Sequence, residues 1–212
     1  MTLRRRFPHR IPSLLFAGLA AALLPPALAA CSPVGAAVGA GAAVGLGATE
    51  ERGLGQSVED KVIWLEINRR WLARDAALFQ RVDLQVHEGR VLLTGMVEAP
   101  ETRIEAVRLA WQAEGVGEVI NEIRIAEEPR SFSDYLQDGW LARQLEMKIL
   151  LDERIRSINY SIDAVDSVIY LMGVAQDEAE LQRVIDHARD IPYVRRVVSY
   201  VRLREDPTRG PQ

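Results

Sequence analysis

Cysteine is almost absent. Cys31 is the only one in 212 residues, which excludes an intramolecular disulfide and any site built from several thiolates. Histidine is nearly as scarce. His9, His87 and His187 are the three, and none has a second ligand at metal spacing. No Ser/His/Asp arrangement suggests an activated nucleophile. The glycine-rich stretch 35–47 lacks G-x-G-x-x-G and follows no strand, so it is no phosphate cradle. Catalytic residues, metal and cofactor are therefore all expected to be absent. Positive charge is also in deficit. The net charge is -4, and the first 30 residues hold four arginines and no acid, so without them it becomes -8. That acidity argues against a nucleic-acid partner and against long-range attraction to anionic lipid. The acidic pairs Glu50-Glu51, Asp152-Glu153 and Asp177-Glu178 read as solvated faces or helix N-terminal charges.

Residues 1–30 read as a leader. Arg4, Arg5, Arg6 and Arg10 are followed by an apolar stretch from Ile11 to Leu24. That length suits a signal peptide better than a spanning helix, which needs roughly 20 residues. Small residues close the leader as Leu28-Ala29-Ala30-Cys31. This resembles the bacterial lipobox, which implies cleavage before Cys31 and lipidation there, a stable anchor when two or more chains are attached. Ser32, where a retention Asp would stand, points under that resemblance to the outer membrane rather than the inner one. The anchored body is then expected in the periplasm. Residues 31–57 combine this cysteine with a Gly/Ala-rich tract. A flexible tether of that length reaches ~30 Å as a coil and ~90 Å when stretched; packing of the tract at the interface is the alternative.

An internal repeat organises the remainder. A shift of 78 lays 82–125 on 160–203 without a gap, with six identities in 44 positions. Apolar positions agree more widely: Val91/Ile169, Val107/Ile185, Val116/Val194, Val119/Val197 and Ile125/Leu203. Upstream, Ile63, Ile67 and Trp71 fall on Leu141, Leu145 and Ile149, each trio spaced as an amphipathic helix stripe. Helices are predicted over 59–74 and 137–153. Two alternating strands follow in each copy, joined at Glu88-Gly89 and at Asp166-Ser167. A second helix starts near Pro100, with Ile104, Val107, Ala110 and Trp111 on its expected buried face and Leu181, Val184, Ile185 and Ala188 on that of its counterpart. The last strands are predicted over 119–125 and 197–203.

The fold class is α+β: two tandem αββαβ modules, each a three-stranded mixed sheet with two helices on one face. An antiparallel hairpin and a right-handed crossover give that topology. The expected boundaries are a leader at 1–30, the lipidated cysteine and tether at 31–57, modules at 58–127 and 128–205, and a disordered tail at 206–212. A single module would bury a marginal core, so the two are expected to pack together.

The strand Val91-Leu92-Leu93-Thr94-Gly95, and Gly115-Val116-Gly117-Glu118-Val119-Ile120-Asn121 before the last strand, carry a family resemblance. In the second copy they become Val168-Ile169-Tyr170-Leu171-Met172-Gly173 and Tyr193-Val194-Arg195-Arg196-Val197-Val198-Ser199. The chain resembles the BON domain family, and its layout resembles the dual-BON lipoproteins of the outer membrane. The second copy departs at Tyr193, where Gly is usual, and at Ser199, where Asn is usual. The resemblance implies a non-enzymatic envelope protein that binds phospholipid and supports outer-membrane integrity. Gly95 and Gly173 are read as conformational, with a shared ligand-contacting backbone as the alternative.

The candidate lipid contacts are Tyr135, Trp140, Arg143 and Lys148, with Arg195 and Arg196 as a second basic cluster. Tyr and Trp suit a bilayer interface, and each nearby cation contributes ~1 kcal/mol on an anionic surface. Trp140 packed between the modules is the competing reading. Expected partners are the membrane through the lipid anchor, phospholipid headgroups and, as the alternative function, an envelope protein docked on the two-module body.

Overall fold

A computed structural model describes residues 53–126, 128 and 130–209, all within one compact unit. The expected leader, Cys31 and most of the tether lie outside the described residues. The first module runs α1 (Gly53–Arg74), α2 (Ala76–Arg81), β1 (Val82–His87), β2 (Arg90–Val97), α3 (Pro100–Ala110), β3 (Glu118–Asn121) and β4 (Arg124–Ile125). The second runs α4 (Phe132–Leu151), a 3-10 turn (Ser157–Asn159), β5 (Tyr160–Val165), β6 (Val168–Ala175), α5 (Glu178–Arg189) and β7 (Arg196–Leu203). Both sheets are mixed, in the orders β1-β2-β3 and β5-β6-β7. The hairpins are antiparallel and the last strands parallel to the centre.

Helix α1 starts at Gly53, six residues ahead of the predicted 59 and inside the expected tether, and the elements depart from the sequence expectation at four further places. Helix α4 starts at Phe132, five residues early, because Ser131 caps it: the Ser131 side chain accepts from the Asp134 N–H while Asp134 accepts from the Ser131 N–H. Helix α2 was not expected; it carries Leu78 into the core. The last strand of the first module is broken rather than continuous over 119–125. The Asn121 side chain accepts from the Ile123 N–H at 3.1 Å, which turns the chain and drops Ile123 into the core. Ser199 stands at the matching position of β7, where it accepts from the Val201 N–H at a longer 3.4 Å and the strand runs unbroken. The fourth departure is the face of α3. Ala110 is buried and Val107 packs on the core as expected, but Ile104 and Trp111 are 63% and 51% exposed, and Ala106 and Leu109 are buried in their place. Trp71 of α1 is fully buried and donates its indole N–H to the Ala106 carbonyl at 3.2 Å. Only small side chains fit beneath α3 there.

Gly95 and Gly173 lie inside β2 and β6, which continue past them, so they do not end the strands. Their φ angles are +113° and +140°, and a Cβ would collide with the carbonyl of Arg81 or Asn159. Both observations give these glycines a backbone role. Gly115 (φ +86°) turns the chain against Ile63, while Val116 and Val194 pack on their module cores.

One device recurs in both copies. Asp60 of α1 accepts from the backbone N–H groups of Glu88 and Gly89, each at 2.9 Å. Asp138 of α4 accepts from Asp166 and Ser167, each at 2.8 Å. Both aspartates are almost fully buried. Each fastens a hairpin turn to the module's first helix and satisfies two donors in the turn.

The modules pack sheet to sheet. The helices cover one face of each sheet, and the opposite faces meet through Leu92, Val165, Val168, Tyr170 and Met172. Leu92 and Tyr170 are equivalent under the 78-residue shift. Polar contacts rim this seam: Arg90 donates to the Tyr200 carbonyl at 2.9 Å, Thr94 bonds to Asp163, and Tyr200 bonds to Glu122. The tail joins in, against expectation for residues 206–209. Arg209 is buried and pairs with Glu88 of the first module at 2.6 Å. Residues 210–212 lie outside the described residues.

Asp83 and Asp163 face one another across the seam, near Arg130. Asp83 keeps contact with solvent, yet burial by the second module and then repulsion from Asp163 push its carboxyl up to about 6. Burial also raises Asp163.

Asp60→Ala and Asp138→Ala should each lower unfolding stability by about 2–4 kcal/mol, since each strands two buried donors. Urea denaturation measures it, and a loss under ~0.5 kcal/mol would show that water replaces the carboxylate. A second expectation concerns pH. The folded state keeps a proton on Asp83 that the unfolded chain loses, so stability falls as pH rises from the ordinary carboxylate range through about 6. Asp83→Asn should therefore gain stability over the wild type on going from acid to neutral pH. A difference in unfolding midpoint that is constant across that range would rule the mechanism out.

Candidate functional site

Helix α4 is apolar on two opposite sides. Its inner stripe, Leu141, Leu145 and Ile149, fills the second core. Residues advance about 100° each around a helix, which places Phe132, Leu136, Trp140, Met147 and Leu150 roughly opposite that stripe. All five are exposed, from 43% for Trp140 to 77% for Phe132, and Leu151 extends the patch. The Ser131 and Asp134 cap holds the first turn, and the bond from Ser131 keeps the Asp134 carboxyl below its usual range. Asp138 locks the same helix to the hairpin. The outer face is therefore presented by a helix fixed on its inner side.

The candidate residues distribute unequally around it. Trp140 and Arg143 lie on the outer face, and Arg143 pairs with Glu146 at 2.7 Å. The seam between modules is made by the sheets, so the reading that packs Trp140 between modules is corrected. Tyr135 sits on one flank, with the Arg130 guanidinium 4.4 Å above its ring. Lys148 sits on the other, in a groove shared with Leu151, Asp152 and His187. Arg195 lies in the loop before β7 and pairs with Asp166 at 2.9 Å. Arg196 is exposed and opens β7, so the two arginines are not both in the loop.

Asp152 is an ion-pair hub rather than a solvated charge. His187 bonds to it at 3.0 Å and Arg154 lies at 3.3 Å. The His187 bond, followed by the Arg154 backbone N–H, holds its carboxyl down at about 2. The hub ties the end of α4 to α5. A polar cleft of about 530 Å³ along the seam is lined by Arg124, Arg130, Arg195, Asp134, Asp138 and Asp166. Its charges pair among themselves: Arg124 with Asp166, Arg130 with Asp138 and Arg195 with Asp166. Among the described residues no group of three His, Cys, Asp or Glu could hold a metal ion, and no helix is long and apolar enough to cross a membrane.

The extent of the α4 patch escaped the sequence reading, which took only Trp140 and Arg143 from it. The signal was present. Phe132, Leu136, Trp140, Met147 and Leu150 repeat at helical spacing half a turn from the core stripe. The counterparts on α1, Val58, Val62 and Leu72, are also exposed.

Known proteins match this architecture. The BON domain model matches residues 66–127 and 137–205. A protein of Anaplasma centrale, described as the uncharacterized protein in gshII 5'region, is 37% identical over 152 residues, covering 72% of this chain and 99% of its own length. The outer membrane lipoprotein DolP of Haemophilus influenzae is 29% identical over 168 residues, 78% of this chain and 85% of that one. The osmotically-inducible protein Y of Escherichia coli is 23% identical over 145 residues, 68% of this chain and 72% of that one. With the matched regions falling on the two αββαβ modules, the chain belongs to the BON domain family and carries two BON domains in tandem.

Proposed function

We propose that this is an exported, non-enzymatic envelope protein, lipidated at Cys31 and held in the periplasm against the outer membrane, whose second BON domain rests on phospholipid. In this role it supports outer-membrane integrity. The observation that carries the reading is the outer face of α4. Phe132, Leu136, Trp140, Met147, Leu150 and Leu151 expose an apolar face, interrupted at Arg143, on a helix fixed on its inner side. Such a strip on a soluble body marks a contact surface, and Trp is the side chain best suited to the boundary between acyl chains and water. Arg143 lies within the strip, and Lys148 and Tyr135 flank it, where long side chains reach headgroups. The name of the Haemophilus relative, an outer membrane lipoprotein, agrees with the lipobox-like Leu28-Ala29-Ala30-Cys31.

The acidic body makes the attraction short-ranged. The lipid anchor offsets this by keeping the domain at high effective concentration beside the bilayer, and the Gly/Ala-rich residues ahead of α1 provide the reach. A second reading, docking of an envelope protein, is favoured by one observation. Val58, Val62, Leu65 and Leu72 form another exposed strip on α1, on the opposite outer layer, with spacing that suits an incoming helix.

The unlipidated body, residues 50–212, is expected to co-sediment with phosphatidylglycerol-containing vesicles, and Trp140→Ala should weaken binding roughly tenfold, as a loss of ~1.4 kcal/mol would. Wild-type body that stays in the supernatant with every vesicle type would remove lipid contact as an intrinsic activity and put protein docking first.

A further inference from the structure

Four residues other than glycine have positive φ among those described: Glu88, Asp166, Ser167 and Tyr193. The first three lie in the hairpin turns that Asp60 and Asp138 grip. Tyr193, at φ +74°, lies in the loop before β7. It occupies the position of Gly115 in the first module, where φ is +86°. A side chain there meets a steric penalty that glycine avoids, and 74% of Tyr193 is exposed, so burial does little to offset it. The loop itself is held by its neighbours. Arg195 donates its backbone N–H to the Ser167 carbonyl at 2.8 Å, and Val194 packs on the core. A strained and exposed aromatic on a held loop is a feature to be explained by contact with something outside the chain.

Its position says what that contact is. A Cβ on Gly115 would lie 3.2 Å from Ile63, and the counterpart of Ile63 is Leu141, next to Trp140. The loop is joined to the start of α4 through the hairpin turn, because Ser167, which accepts from the Arg195 N–H, also accepts at its side chain from Gln137 at 3.0 Å. Tyr193 therefore stands near the start of α4, the helix whose outer face carries Trp140. Across positions 115–118 and 193–196 three of the four residues differ: Gly115 is replaced by Tyr193, Gly117 by Arg195, and Glu118 by Arg196. A small, acidic loop becomes aromatic and basic in the module whose first helix exposes Phe132, Leu136 and Trp140. Arg195 shares its carboxylate, Asp166, with Arg124, while Arg196 stands exposed at the start of β7.

We propose that residues 193–196 form a second part of the bilayer contact, with the Tyr193 ring at the interface beside Trp140 and with Arg195 and Arg196 on headgroup phosphates. The inference rests on the reading of α4 as the lipid face. It makes Tyr193 a residue kept for binding at the expense of folding, so its replacement moves the two properties in opposite directions.

The test uses residues 50–212, which contain both complete cores, with vesicles of phosphatidylcholine alone and of phosphatidylcholine mixed with phosphatidylglycerol. Tyr193→Gly is expected to unfold at higher urea than wild type yet bind both vesicle types roughly fivefold more weakly. The pair Arg195→Gln and Arg196→Gln is expected to lose the extra affinity for the anionic vesicles and to bind both types as the wild type binds the neutral ones. Wild-type binding by Tyr193→Gly, with Trp140→Ala impaired, would overturn this proposal and leave the α4 reading standing. A Tyr193→Gly protein that unfolds at lower urea would also overturn it, because the ring would then be a packing residue. Failure of the wild type to bind any vesicle would remove both readings together.

Discussion

The central strand of each sheet is apolar on both faces, and the rest of the structure depends on covering the second one. In β6 every residue from Val168 to Ala175 is buried, and in β2 Leu92 points away from its own helices into the other module. A lone BON domain would leave that face in water. Burying Leu92, Tyr170 and Met172 against one another removes it, and a buried aromatic or leucine contributes about 1.5–3 kcal/mol. The cost of exposing this face explains why the modules come as a pair. It also explains why the helices end up on the outside, since each sheet has spent one face on its helices and the other on its neighbour.

The function then follows from what remains on the outer layers. With the sheets turned inward, only the helices and the loops at their ends can meet another surface. Helix α4 is fastened at its cap by Ser131 and Asp134, at its first turns by Asp138, along its length by Leu141, Leu145 and Ile149, and at its end by the Asp152 hub. A helix held at so many points loses little freedom on binding, which keeps the entropic cost of contact low. The apolar strip on its outer side is thus presented in a ready-made form.

Much of this was legible in the sequence, and the unread parts have physical causes. The repeat, the α-β-β-α-β order and the inner stripe of both first helices follow from periodicity, because a core-facing helix and a hairpin leave regular patterns. Half of the expected face of α3 was displaced: Val107 and Ala110 do pack inward, but Ile104 and Trp111 were read as core by hydrophobicity alone, and the inward side lies instead over Trp71, at Ala106. The broken last strand goes with a 3.1 Å bond from the Ile123 N–H to Asn121, shorter than the 3.4 Å contact to Ser199 in the unbroken β7. The folded tail depended on Arg209 finding Glu88, a pairing 121 residues apart that no local pattern announces. The sheet-to-sheet seam could have been read: an unbroken apolar run such as Val168-Ile169-Tyr170-Leu171-Met172 signals burial on both faces.

The aspartate that grips each hairpin has a bearing on how the copies could diverge. A two-residue turn with positive φ ordinarily demands Asn or Gly. Here Glu88-Gly89 and Asp166-Ser167 adopt it, because the hydrogen bonds that stabilise the turn come from a helix and not from the turn's own residues. Specification of the geometry has been moved off the loop. The turns are thereby released to drift in sequence, and a duplicated domain with its shape secured from elsewhere can acquire new surface chemistry in one copy while the other keeps the old.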